Sequence, residues 1–326
     1  MLSRVADAFY WMSRYLERAE HSARAVDVYL SVTLDGSNDE AGQTLLNSIA
    51  LASVDPADPA AVTDGSLDGL LTTRHRDAIA FCIATSRDNA RNVREQISSD
   101  MWEQLNRLYL VVGQADGERL WLDEPGVYVR TVIAGAQMFH GVTDATLSHG
   151  EGWHYIQIGR FIERAATTAA MLEEQFTRPA ARLSQRGVES HDPLMSEGEY
   201  ERWVSLLRAS AAFEAYCRYY TAELRPDRIA EFLLLNAEFP RSIRFVADRI
   251  ESSLRAIAAL LGRPANGRPE RFAGRLKASL NYGQIDEIMA DEPRQYLESI
   301  RRQCEQVHAA LYETYITYPI ESALAT

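Results

Sequence analysis

The chain has 326 residues, 46% hydrophobic and 25% charged, which is enough apolar material for one large globular domain or two ordinary ones. Its net charge of −12 argues against a nucleic-acid binder, because neutralising phosphates needs an excess of basic residues. Three widely spaced cysteines, Cys82, Cys217 and Cys304, include no C-x-x-C pair, so reduced buried thiols are expected rather than a zinc or redox centre.

The N-terminal stretch has charges throughout and does not read as a secretory signal. No segment approaches the roughly 18–20 apolar residues of a membrane span. A cytoplasmic protein with no membrane association is expected.

The first element is the clearest. Val5, Phe9, Met12, Leu16, Ala19, Ala23, Val26 and Leu30 alternate steps of four and three, the seam of a long bundle helix over 3–32. Further helices are expected at 40–53, 74–98, 101–112 and 125–147. Val54 to Pro59 with Asp64-Gly65 reads as an acidic loop, and Gly113 to Gly117 as a break. A second long seam follows at 149–177, through Tyr155, Ile158, Ile162, Ala165, Ala169, Leu172 and Phe176. A long loop is expected from Arg178 to Gly198, then helices at 197–221, 226–236, 240–262, 268–280 and 292–316. The Gly262–Pro269 stretch between two of them reads as a basic turn. Asp-Glu-Pro at 123–125 and 291–293 marks two helix entries, with proline in the first turn where its missing N–H costs nothing. Strand patterning is nearly absent; only Tyr109–Val112 is β-like, and its surroundings are helical.

Several of these blocks occur twice. Arg14-Tyr15-Leu16-Glu17-Arg18-Ala19 returns as Arg160-Phe161-Ile162-Glu163-Arg164-Ala165, and the Asp-Glu-Pro entry returns with matching apolar residues behind it. Asn89–Val93 has a weaker echo in Ser242–Val246. The expected architecture is therefore all-α: an internally duplicated helical bundle, with one repeat over 1–147 and the other over 148–326, packed as one unit. The growing offsets of the three echoes place the extra residues of the second copy near the 262–269 turn.

Arg14, Glu17, Arg18 and His21 share one face of the first helix, and Arg160, Glu163, Arg164 and Thr167 share the corresponding face of the second. Three readings of these clusters stand side by side. They form a structural Arg–Glu clamp, a pocket for an anionic ligand, or an acid/base site at Glu17 or Glu163. Arg91, and Arg241 with Arg244 at a helix start, are further candidates for anion binding. Glu151-x-x-His154 and Glu305-x-x-His308 have the spacing of di-metal bundle oxidases, but they are not repeats of each other, and Glu163 has arginine on both sides. No bound metal or cofactor is expected. His140 and His308 are matched across the repeats and are expected as hydrogen-bonded core residues. No nucleotide loop or nucleophile motif is present.

The opening Leu2–Met12, running into Arg14–Glu20, resembles the bacterial alpha-E family, as do Asn89–Glu95 with Trp102-Glu103 and Asn236 to Ile243. The resemblance covers essentially the whole chain. It implies an all-helical protein that works beside a circularly permuted ATP-grasp protein, with transglutaminase-like and proteasome-like peptidases as further neighbours. The implied setting is ATP-dependent peptide or amide-bond formation. The family's name points at a glutamate, for which Glu17 and Glu163 are the natural positions. The leading expectation is a binding partner of the ligase or of its anionic, peptide-like substrate, with the arginine clusters as its recognition elements. The alternatives are an enzyme of the same pathway using Glu17 or Glu163, and a metal-dependent oxidase.

Overall fold

The computed structural model describes residues 1–34, 70–113, 115–177, 195–220, 223–290 and 292–317, together with positions 42, 44–46 and 48. Among these residues the regular structure is helical and no strand occurs. The expected helix over 40–53 and the acidic loop after it lie almost wholly outside the described residues, as does most of the loop expected after Arg178.

Two long helices form the centre, α1 (Ser3–Leu34) and α6 (Glu151–Gln175). Their seam residues Phe9, Leu16, Ala19 and Ala23, and Ile158, Ile162, Ala165 and Ala169, are all buried. Glycine and alanine at the contact bring the backbones close. A methyl group at Gly152 would lie 2.8 Å from the Phe9 ring, and one at Gly159 would collide with Ser13 Oγ and the Tyr10 carbonyl. Positions 9 to 13 thus lie opposite 152 to 159 in ascending order, so the helices run parallel. Both are covered on nearly every side, which is why so few of their central residues reach solvent.

The first half adds α2 (Leu70–Asn92), α3 (Ser99–Val112), α4 (Ala115–Asp123) and α5 (Pro125–Thr146). The second adds α7 (Glu197–Ala209), α8 (Phe213–Tyr220), α9 (Pro226–Leu235), α10 (Ile243–Leu260), α11 (Arg268–Tyr282), α12 (Ile285–Ala290) and α13 (Pro293–Leu311). A single π turn, Tyr312–Ile316, follows. α2 and α5 pack on α1, while α10 and α13 pack on α6. α3 bridges α2 and α5; α11 bridges α10 and α13. α10 therefore holds on α6 the place that α2 holds on α1. α7 to α9 come between α6 and α10 in the chain, and α11 follows α10 directly after the 262–269 turn. The weaker sequence echo does not follow this packing: Asn89–Asn92 ends α2, whereas Ser242 caps the start of α10 by accepting from Phe245 N at 3.2 Å.

Four boundaries differ from the pattern in the sequence. The helix expected over 197–221 breaks at Ser210–Ala212, where Ala211 adopts a left-handed φ of 49° and closes the end of α7. The expected break at Gly113–Gly117 is short, because α4 begins at Ala115 and Gly117 is buried where a side chain would strike the Val112 backbone. α2 ends at Asn92, earlier than expected, and gives way to turns before Ser98 caps α3. The last helix stops at Leu311, and its expected final turn is the π turn. Both Asp-Glu-Pro entries are helix starts, with Pro125 and Pro293 in the first turn.

Candidate functional site

The parallel pairing of α1 and α6 sets the two Glu-Arg dipeptides side by side at one level. Arg14 donates from Nε and Nη2 to Glu163 Oε2 at 2.9 and 2.7 Å. Arg18 donates from Nε to Oε1 at 2.7 Å and from Nη2 to Oε2 at 3.2 Å. In return, Arg164 donates from Nε to Glu17 Oε1 at 2.6 Å and from Nη2 to Oε2 at 2.9 Å. Its remaining nitrogen donates to the Pro240 carbonyl at 3.1 Å. Glu17, Glu163 and all three arginines are buried. Each glutamate thus takes its arginine from the opposite helix, with the two-point geometry that guanidinium and carboxylate favour.

Charge partners overcome burial at both carboxylates. Burial alone pushes the Glu163 pKa up, but Arg18 and Arg14 hold it down at about 2. Burial likewise works to raise Glu17, and Arg164 with His140 and His21 holds it well below the usual range. Both are fixed anions, which suits a clamp and opposes a proton-transfer role.

The surroundings of the two glutamates differ. Beside Glu163, Tyr10 OH hydrogen-bonds His308 Nδ1 at 2.7 Å and accepts from Arg14 at 3.3 Å. Desolvation, aided by Arg14, lowers the His308 pKa to about 4. Beside Glu17 lies a larger polar layer. Glu20 Oε1 accepts from Arg24 at 3.0 and 2.8 Å and from Arg241. Burial raises the Glu20 pKa, and Arg241 with Arg24 outweighs that to bring it down to about 2. His21 Nε2 lies 3.1 Å from Glu17 Oε1, His140 Nε2 3.4 Å from Oε2, Arg160 Nε 3.7 Å from Oε2 and Arg241 Nη1 3.9 Å from Oε1. None of these four approaches is an aligned hydrogen bond, and all four nitrogens are buried without a partner. Burial lowers both histidine pKa values, with Arg160 adding to the effect at His140.

Charge in this layer does not balance. Glu17 and Glu20 face Arg24, Arg160, Arg164 and Arg241, so two positive charges are in excess among these residues. Ligand atoms of Glu17, Glu20 and His140 lie within 4.8 Å of one another, a separation that would suit a metal ion. Both carboxylates are already engaged by arginines, however, and a cation would enter a layer that already carries excess positive charge. The Glu-x-x-His pairs do not join this group: Glu151 pairs with the N-terminal amine, and His308 stacks on Tyr10.

The layer opens into a cleft of about 570 Å³ between α6, the end of α5 and α10. Its lining includes the buried Gln157, Phe161 and Arg164 with Arg160 among them, and its exposed rim includes Asp144, His149, Pro240 and Arg249, with Trp153 beside them. Arg160 reaches this lining with no hydrogen bond to any described residue. Desolvation, together with Arg164, lowers its pKa to about 10, yet it stays charged at neutral pH.

The residues singled out from sequence thus separate. Arg14, Arg18 and Glu163 form a closed clamp. Glu17, Arg160, Arg164 and Arg241 meet in the open layer. Arg244 is elsewhere, bonded to Asn281 at 2.9 Å and the Leu235 carbonyl at 3.2 Å. Arg91 is exposed on α2 and joins neither group. Glu20 is a member that the sequence pattern did not single out. The available signal was its place one turn after Glu17, with Arg24 four residues further on.

An all-helical protein organised on two facing, buried Glu-Arg pairs is the class that these observations define. Glu-Arg also occurs at 118–119, 201–202 and 270–271, but only Glu17-Arg18 and Glu163-Arg164 have both side chains buried. The chain belongs to the Alpha-E family, described as a predicted alpha-helical domain with a conserved ER motif, which it matches over residues 1–316. It is 25% identical to an uncharacterized protein of Mycobacterium bovis and to one of Mycobacterium tuberculosis strain CDC 1551, and 24% identical to one of M. tuberculosis strain H37Rv. Each alignment covers 94% of this chain and 35% of the relative, so the chain spans about a third of the relatives' length. No solved structure matches it. Among the described residues no helix is long and apolar enough to cross a membrane.

Proposed function

We propose that this protein is a binding component of an ATP-grasp-type peptide or amide ligase system, and that it recognises an anionic, peptide-like substrate through the cleft at Arg160. The observation that carries the anion reading is Arg160 itself. It is a guanidinium in a cleft wall, without a hydrogen bond, in a layer with surplus positive charge. A ligand carboxylate would supply both the missing acceptor and the missing negative charge. The chain as a whole is acidic, so this local excess is a feature of the cleft and not of the surface at large.

The ligase setting, with a circularly permuted ATP-grasp protein as partner and a transglutaminase-like peptidase as a second one, rests on the resemblance alone. The three cysteines are free, which agrees with a cytoplasmic setting. We further propose that 1–147 and 148–326 descend from one duplicated unit; the matched packing around α1 and α6 supports this. The acid/base alternative at Glu17 or Glu163 is weakened by the arginines that hold both carboxylates ionised.

Calorimetric titration of the full chain with triglutamate and with glutarate tests the binding reading. Saturable binding that disappears in Arg160→Gln, with the melting temperature unchanged, is expected. Failure of the parent protein to bind either acid, or equal binding by Arg160→Gln, would overturn it. Affinity purification of the tagged protein from its own cells tests the ligase setting, which is refuted if no ATP-grasp protein accompanies it.

A further inference from the structure

We infer that the cleft recognises an acidic amino acid with a free α-amino group, either alone or at the N-terminus of a peptide. This rests on the anion reading of Arg160 and specifies the ligand for that site. The cleft has two electrically different ends. The inner end is cationic, with Arg160 and Arg164. The mouth carries Asp144, the one acidic residue of the lining, with Arg249 of α10 as a further cation.

Asp144 is held in place. Its Oδ1 accepts from Trp153 Nε1 at 3.1 Å and from Gln157 Nε2 at 3.2 Å, both on α6. Its second oxygen carries no hydrogen bond to a described residue, and the side chain is exposed at the mouth. Trp153 and Gln157 precede Arg160 by seven and three residues, so Asp144 is held beside the stretch of α6 that leads up to Arg160. His149 stacks on Trp153 with ring centroids 4.2 Å apart, which gives the mouth an aromatic wall beside Asp144. A carboxylate with a free oxygen is a suitable receptor for an ammonium group.

Two charges of opposite sign in one cleft match the two ends of an acidic amino acid. Its side-chain carboxylate would meet Arg160, and its α-ammonium would meet Asp144. A simple dicarboxylate has no ammonium group to offer Asp144. A peptide with a blocked N-terminus would also lose the outer contact.

The test compares four probes by calorimetric titration of the full chain: L-glutamyl-L-glutamate, its N-acetyl derivative, L-glutamate and glutarate. We expect the free-amine dipeptide to bind about tenfold tighter than its N-acetyl form, the effect of one charge-assisted contact. Asp144→Asn should remove that ratio, because the charge that meets the ammonium is gone while the amide oxygen still accepts from Trp153 and Gln157. An unchanged melting temperature checks that the variant is folded. Equal affinity for the free and acetylated dipeptides, or a ratio that persists in Asp144→Asn, would overturn the amine inference and leave the anion site standing. If no probe binds, or if Arg160→Gln leaves glutarate affinity intact, the anion reading falls and this inference falls with it.

Discussion

Replacing Glu163 by glutamine isolates the energetics of the closed clamp. The side chain keeps its volume, so no cavity forms. What changes is charge: two buried guanidinium groups lose the single carboxylate that accepts four hydrogen bonds from them. The new amide also turns an N–H₂ towards donors. Removing one member of a buried, hydrogen-bonded ion pair costs about 3–5 kcal/mol, largely because the remaining charge is left desolvated. Here two cations remain, Arg14 fully buried and Arg18 5% exposed, so the upper half of that range is expected. Against a total stability of about 5–15 kcal/mol, this is a large fraction. Urea denaturation followed by circular dichroism should show a much lower midpoint with an unchanged slope. Adding Arg14→Leu to Glu163→Gln should cost less than Arg14→Leu costs in the parent protein, because the leucine then removes an uncompensated charge. A loss below about 1 kcal/mol for Glu163→Gln would refute the clamp as a contributor of this size.

Gly159→Ala should destabilise by about 1–3 kcal/mol despite alanine's better helix propensity, because the added methyl meets the Tyr10 backbone; urea midpoints measure it. Ala211→Gly should stabilise by about 0.5–1 kcal/mol, since only glycine takes a left-handed φ without cost; a lower melting temperature would contradict this. Acid should destabilise the fold in two steps. Histidines with lowered folded pKa values, including His75 and His308 at about 4, contribute stability that is complete above about pH 6.5, the unfolded value, and is lost as pH falls towards 4. Glu17, Glu20 and Glu163, also depressed on folding, give a second loss below about pH 4.5, extending to about 2 for Glu20 and Glu163. Melting temperatures across pH 3–8 test this, and a flat profile from 7 to 5 would refute the first step. Arg244→Ala, which removes bonds to Asn281 and Leu235, should cost about 1 kcal/mol and leave triglutamate binding unchanged by calorimetry.

The central helices were legible in the sequence because their burial is periodic: each seam residue repeats at heptad spacing, and the Arg-x-x-Glu-Arg block lies beside it in both. That same block pointed to Glu17, Glu163 and four of the arginines. Glu20 and His140 were harder to place, since their meeting depends on how α5 crosses α1 and not on any local spacing. The break at Ala211 had no local signal, as Ser210-Ala211-Ala212 contains neither glycine nor proline. Its cause lies in the turn that separates α7 from α8. At Gly117 the residue type misled in the opposite direction, because the glycine there serves a close approach and not a break. The cleft was invisible in the sequence, because Asp144, Arg160 and Arg249 come from three separate helices.

The reciprocity of the Glu-Arg pairs fixes alignment as well as adding stability. Apolar contact along the seam is non-directional, whereas hydrogen-bonded charge pairs hold in one geometry. Advancing α6 by one residue moves it about 1.5 Å and turns it about 100°, which carries Glu163 away from both of its donors. The same step takes Arg164 off Glu17, so both exchanges fail together. The pair therefore behaves as an indexed coupling with one permitted setting. Arg160 and Arg164 share α6 with Glu163, so the cleft wall and the closed clamp are carried by one helix.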